Sequence, residues 1–206
     1  MEHHEIQGFS VTFEENDHQY TVDGYPVVSV TQLIDAVLGK PYKRVDPLIL
    51  EKAAEKGTLL HDRIAQYEMH QEKAFHPEMQ TYLALKRQHH IEVVDSEKIV
   101  VIQHDGVPIA AGRFDMVVRS PIMKGLGIVD VKRSLHLHED RLKLQLNLYK
   151  LGYEQTYKEP IHYLKCMRIR HRFNEYVDVS VDKAWTLEKI EKYLVKHPID
   201  YTRYMT

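Results

Sequence analysis

The chain has 206 residues, with 28 Lys plus Arg against 30 Asp plus Glu and a formal net charge of −2. That balance excludes a protein that coats nucleic acid through bulk positive charge, and 43% hydrophobic with 28% charged residues describes a globular chain long enough to bury a core. The single cysteine, Cys166, excludes a disulfide framework and any site built from four thiolates, whether zinc or an iron–sulfur cluster. Met1 to Ser10 is acidic and His-rich with no apolar h-region, and no long uninterrupted apolar stretch occurs. The expectation is a protein with neither secretion signal nor membrane span, in a reducing, cytoplasmic-type compartment.

From the N-terminus, Phe9 to Phe13 alternates, Asn16-Asp17 signals a turn, and His18 to Val22 leads through Asp23-Gly24 to Pro26 and Val28, the pattern of a β-hairpin with a tight turn. Ser29 with Gln32 three residues later forms a capping box and Gly39 a stop, which predicts a short helix over about Val30 to Leu38. Asp46-Pro47 opens the next helix in cap-then-proline order. Gly57-Thr58 interrupts or restarts it, after which Leu59, Leu60, Ile64 and Tyr67 recur at helical spacing. Pro77 begins a further helix that runs to about Gln88.

From Ile91 the period becomes that of strands: Lys98 to Gln103, a turn at Asp105-Gly106, Ile109 to Val118, a loop around Pro121 to Gly125, then Gly127 to Arg133. These read as three consecutive antiparallel strands. Glu139 to about Tyr157 is a long helix with Leu142, Leu146, Tyr149 and Tyr153 on one stripe, ended by Pro160. Strands His162 to Arg170 and Glu175 to Val181 follow, and Asp182 caps a terminal helix through about Val195. No internal repeat or linker-like tract breaks the chain, so it reads as one α/β domain: a lead-in at 9–45, a core at 46–181 and a C-terminal helix at 182–206.

Two carboxylates carry the chemistry. Asp130 and Lys132 stand two apart on a predicted strand, so both side chains leave the same face. A short acid-x-Lys pattern arises by chance roughly two or three times in a chain of this composition, and its context is what raises it. Asp115 and Asp130 have index numbers summing to 245, which centres their hairpin inside the Pro121 to Gly125 loop and sets the two aspartates face to face. An aspartate amid the apolar residues of Ala110 to Val118 costs several kcal/mol if buried alone, so Lys132 or a bridging divalent metal must compensate the pair. A structural ion pair inside a sheet satisfies the same three residues.

The whole pattern resembles the PD-(D/E)xK nuclease superfamily, in its RecB-like, phage-type exonuclease branch. Lys56-Gly-Thr-Leu-Leu-His61 is similar to the branch's Gly-x-x-x-His helix motif, and Gly112-Arg-Phe-Asp115 to its glycine-led metal aspartate. Asp130-Val-Lys132 matches the Asp-x-Lys core, and Gln145-Leu-Asn-Leu-Tyr149 the Gln-x-x-x-Tyr motif of the following helix. The segment His18 to Thr31 resembles the lead-in of phage-type members. The likeness spans about Phe9 to Glu154.

It implies a restriction-endonuclease-like core, a central mixed sheet flanked by helices. His61, Asp115, Asp130 and the Val131 carbonyl would bind one or two Mg²⁺ or Mn²⁺ ions, and Lys132 would position or deprotonate the attacking water. Gln145 and Tyr149, on one helical face, would hydrogen-bond a phosphate or base, with Arg133 and Arg141 also placed to contact the scissile strand. Lys165, Arg168, Arg170 and Arg172 form the one dense basic patch, a candidate phosphate surface or a solvated strand edge. His136 and His138 read as loop residues. The expected activity is a metal-dependent deoxyribonuclease, foremost an exonuclease of phage-type recombination or DNA processing. A structure- or sequence-specific endonuclease and a non-catalytic nucleic-acid-binding module are the alternatives. DNA is the expected partner and no membrane is; a recombinase or single-strand-binding partner and a homo-oligomer rest on analogy alone. A helicase is excluded by the missing Gly-x-x-x-x-Gly-Lys-Ser/Thr loop, and the iron–sulfur relatives by the lone cysteine.

Overall fold

Along the chain lie β1 (Glu2–Ile6), β2 (Phe9–Glu14), β3 (Gln19–Val22), β4 (Tyr25–Ser29), α1 (Val30–Leu38), α2 (Pro47–His70), α3 (Pro77–Gln88), β5 (Glu92–Ser96), β6 (Ile99–His104), β7 (Val107–Arg113), β8 (Met116–Arg119), β9 (Leu126–Lys132), α4 (Glu139–Tyr157), β10 (Ile161–Arg170), β11 (Phe173–Val179) and α5 (Lys183–Lys196). This computed structural model describes residues 1–6, 8–15, 19–42, 45–70, 75–170 and 173–199, with Phe173 described by its backbone alone. The architecture is mixed α/β with two sheets, ordered β1-β2-β3-β4-β7-β6 and β11-β10-β9-β8-β5. No helix among the described residues is long and apolar enough to cross a membrane.

Strand alternation decides what covers the second sheet. Met116, Val118, Val129, Val131, Met167 and Ile169 face one way and pack with Leu60, Ile64, Met79 and Tyr82 of α2 and α3. Val117, Ile128, Leu164 and Cys166 face the other way and pack with Leu142, Leu146 and Tyr149 of α4 and Ile190 of α5. β9 is therefore covered on both faces, which explains its near-continuous apolar run and makes Asp130 stand out in it. β9 and β10 run parallel, with α4 as the crossover between them. Gly152 lets α4 settle closely on β6, since a Cβ there would stand 2.9 Å from Val100 Cγ2.

The hairpin from β5 to β8 positions the site. Glu92 to His104 and Val107 to Arg119 pair antiparallel along their length, β6 with β7 in the first sheet and β5 with β8 in the second. The two chains change sheets together at one corner. There the Phe114 N–H donates to the Lys98 carbonyl at 3.2 Å and the Glu97 N–H to the Asp115 carbonyl at 3.1 Å. Glu97 takes a left-handed conformation with φ 52°, which costs a non-glycine residue about 1–2 kcal/mol. The 8–9 hairpin then pairs Met116 with Val129 and Val118 with Gly127, the register that an index sum of 245 anticipates.

Several expectations need correction. Ile109 to Val118 is not one strand but two, divided at Phe114-Asp115 by that corner. α2 runs unbroken through Gly57-Thr58, because a glycine inside a helix costs only about 1 kcal/mol and nothing crowds this half-buried one. The strands β1 and β5 were not anticipated, and the last strand begins and ends two residues earlier than the pattern suggested. The capping box formed as read: Ser29 Oγ accepts from the Gln32 N–H at 3.1 Å, and Gln32 Oε1 accepts from the Ser29 N–H at 2.8 Å. The Asn16-Asp17 turn and His18 lie outside the described residues.

Candidate metal centre

Three elements converge at the corner. α2 supplies His61, held inward because its neighbours Leu60 and Ile64 anchor that side of the helix in the core. The corner itself supplies Glu97 and Asp115 from opposite chains of one hairpin. His61 Nδ1 lies 3.3 Å from Asp115 Oδ1. One donor atom from each of His61, Glu97 and Asp115 falls within 4.8 Å of the others, a spacing that could close around a single divalent cation.

Glu97 escaped sequence reasoning. It sits in the polar run Asp95-Ser-Glu-Lys98, which looks like a turn and carries no motif. The signal was present only in the register, since Glu97 continues the pairing that sets Ser96 against Met116.

Behind this trio lies the expected Asp-x-Lys pair. Asp130 is nearly fully buried, and Lys132 Nζ donates to its Oδ1 at 3.0 Å. The same Nζ stands 2.8 Å from Oδ2, but without hydrogen-bond geometry, so Oδ2 is a buried oxygen with a charge beside it and no hydrogen bond. A buried acceptor left so is the kind of atom a bound cation or its ligand water satisfies, and the donor set fits a divalent metal. Asp115 is braced differently: the Val131 N–H donates to its Oδ2 at 2.6 Å. The structure thus brings Val131 to the site through its amide.

Electrostatics knit these groups together. The Asp115 carboxylate lifts the His61 imidazolium to about 9, outweighing burial. Burial alone would raise Asp115, yet His61, Lys132 and the Val131 N–H hold it below the usual carboxylate range. Burial, with Asp115 adding repulsion, raises Glu97 to about 7. Burial also raises Asp130 to about 6 despite the opposing charge of Lys132. Lys132 is held above the ordinary lysine value: burial acts to lower it, and the Asp130 and Asp115 charges together prevail. Its side chain as a whole remains 31% exposed.

The glycine of Gly112-Arg-Phe-Asp115 has a steric cause. A Cβ at Gly112 would stand 2.8 Å from Val30 Cγ2 and 2.9 Å from Tyr149 Cε1, so only glycine lets α1 and α4 close over β7 beside the site. Arg113, the next residue, ties the motif to the lead-in strands through Glu2 and lies 5.0 Å over the Phe13 ring. Gln145 Nε2 donates weakly to Tyr149 Oη at 3.4 Å, and Tyr149 is buried. Burial pushes its phenol far above the ordinary value, which leaves it a protonated group at any working pH.

The arginines fall elsewhere. Arg141 donates to Asp35 and to the Gly39 carbonyl, pinning the end of α1 to the start of α4. Arg133 Nε donates to Glu78 Oε1 at 2.7 Å on the α2–α3 side of the sheet. In the basic patch, Lys165 pairs with Asp178 and Arg168 with Glu175, while Arg168 also donates to the Ser134 and Leu135 carbonyls. That patch is largely neutralised within its own sheet and ties down the exit of β9; Arg172 lies outside the described residues. His138 occupies the N-cap position of α4 without a side-chain capping bond and meets the Tyr42 ring edge-on at 4.7 Å.

No family model and no curated protein matches this sequence. Among solved structures, the crystal structure of SSO0001 aligns with 82% of this chain and 75% of that chain, at 15% identity and a TM-score of 0.44.

Proposed function

We propose that the chain is a divalent-metal-dependent DNA nuclease with a restriction-endonuclease-like core. The observation that carries this reading is the meeting of His61, Glu97 and Asp115 at one hairpin corner, with the buried Asp130–Lys132 pair directly behind it. The parallel β9 and β10 joined by α4, with Asp115 leading into β8, agree with such a core.

A Mg²⁺ or Mn²⁺ ion in this site would neutralise phosphate charge and acidify the attacking water; two carboxylates favour such hard ions, and the imidazole shifts preference toward Mn²⁺. The protein's own groups have separable tasks. Asp115, kept ionised by His61, Lys132 and the Val131 N–H, is a permanent anionic ligand. Glu97 and Asp130 give up their protons near neutrality, which arms the site in the physiological range. Lys132 enters as an ammonium, so it donates to a water or phosphate oxygen rather than abstracting a proton. Gln145, partly exposed beside the buried Tyr149, offers an amide to the strand.

The test is a divalent-metal panel on end-labelled linear and closed circular single-stranded DNA. Release of mononucleotides from linear DNA alone supports an exonuclease, and cutting of circles an endonuclease, since a circle has no end to enter. DNA binding with no cleavage in Mg²⁺ or Mn²⁺ rejects the enzyme in favour of a binding module.

A further inference from the structure

On the opposite flank of α2 from His61 lies a cleft of about 410 Å³, the size range of small-ligand sites. Lys56, Leu59 and Arg63 form its α2 wall, spaced three and four apart on one stripe. Pro77 and Glu78 at the start of α3 form the facing wall, and Arg133 closes the end nearest β9. Glu78 is spent on Arg133, so the carboxylate does not cancel the other cations. Lys56 and Arg63 have no ion-pair partner among the described residues, and both are exposed. Between them Leu59 is 51% exposed, an apolar surface with nothing packed over it.

Two unspent cations flanking an apolar floor, in a cleft of small-ligand volume, match the chemistry of a single nucleotide: a phosphate for the charges and a flat base for the aliphatic wall. The N-terminus of α3 adds nothing to this attraction, since Pro77 has no N–H, His76 Nδ1 accepts from the Glu78 N–H and the Glu78 carboxylate stands in its first turn, so Lys56 and Arg63 alone supply it. We propose that this cleft is a subsite for one nucleotide of a single strand, its phosphate held by Lys56 and Arg63 and its base laid against Leu59 and Pro77. The strand's course rests on the nuclease reading. Arg133 follows the last residue of β9 and turns to Glu78 at the start of α3, away from the Asp130–Lys132 pair, so a strand reaching both places must pass around α2. The cleft therefore takes a nucleotide removed from the reacting bond.

The experiment uses the full chain in EDTA, a short fluorescein-labelled oligothymidylate followed by anisotropy, and the variant Lys56→Glu/Arg63→Glu. The dissociation constant of the variant should rise at least about tenfold, and the slope of its logarithm against log salt should fall by about 0.7, the share of one neutralised phosphate on a single strand. Its melting temperature should match wild type, since neither side chain holds the fold together. Equal affinity and equal salt slope in the two proteins overturns the subsite. Free thymidine monophosphate separates a nucleotide from a mere backbone contact: competition in wild type that is lost in the variant supports the cleft, and equal competition in both rejects it. Cleavage in Mn²⁺ reads the nuclease separately. A wild type that cleaves while the substitutions leave binding unchanged rejects the cleft alone; binding that needs Lys56 and Arg63 in a protein that never cleaves rejects the nuclease alone.

Discussion

Glu97 stands directly across a strand corner from Asp115, its N–H donating to the Asp115 carbonyl at 3.1 Å while the two carboxylates share the space in front of His61. The backbone holds two like charges together at the expense of a left-handed Glu97. Strain of this kind persists where the surrounding structure enforces it, and a cation between the carboxylates would offset the repulsion.

Glu97→Gln separates ligation from folding. The isosteric amide removes the repulsion with Asp115, so in EDTA at pH 8 the variant should melt at or above the wild-type temperature. Its Mn²⁺ affinity by calorimetry should fall at least on the order of tenfold, the lower end of what loss of even an indirect metal partner costs. Unchanged affinity would remove Glu97 from the site.

The metal-free protein should lose stability as pH rises. Asp130 binds its proton more tightly folded than unfolded, with its pKa raised from 3.8 to about 6, and Glu97 likewise from 4.5 to about 7. Each lowers stability across its own interval. His61, raised from 6.5 to about 9, contributes stability that is complete below 6.5 and gone above 9. Asp115 acts oppositely only below 3.8, and His89, held below 6.5 by burial, opposes these three groups as a single group within the interval. The net slope from about pH 4 to 9 is therefore downward. Millimolar Mn²⁺ should flatten or reverse it, since the metal requires the deprotonated ligands. Melting curves at several pH values in EDTA and Mn²⁺ check this, and a rising slope in EDTA would contradict it.

Much of this was legible in the chain. The index sum of Asp115 and Asp130 fixed their register because a short loop leaves a hairpin little freedom, and the α1 cap and the α4 stripe are local patterns with local causes. β1 was not legible, because Glu-His-His-Glu alternates no apolar residues and its pairing is decided by β2. Neither was the corner at Phe114-Asp115: nothing in Ala110 to Val118 breaks the β pattern, and only packing against two different sheets bends it. Arg141 looked free in sequence and is consumed by Asp35, a partner 106 positions away.

Gly112→Ala should destabilise by about 1–3 kcal/mol in urea titrations, as the new methyl meets Val30 and Tyr149 inside contact distance. Adding Val30→Ala should recover part of the loss. A Gly112→Ala protein with the wild-type midpoint would mean that α4 can shift away from β7.

Lys132→Ala leaves Asp130 buried without its cation and should cost about 1–3 kcal/mol. The pair Asp130→Asn/Lys132→Met should regain most of that stability while remaining inactive, which assigns the two charges to chemistry rather than to the fold. A single variant as stable as wild type would show that solvent already reaches Asp130.

The central claim is tested most directly by the Mn²⁺ dependence of DNA hydrolysis for wild type and Asp115→Ala, each followed on end-labelled linear DNA. The wild type should show saturable, EDTA-sensitive hydrolysis, and Asp115→Ala none at any Mn²⁺ concentration. Hydrolysis by Asp115→Ala with the wild-type Mn²⁺ dependence, or its absence from a folded wild type that binds Mn²⁺, would contradict the account.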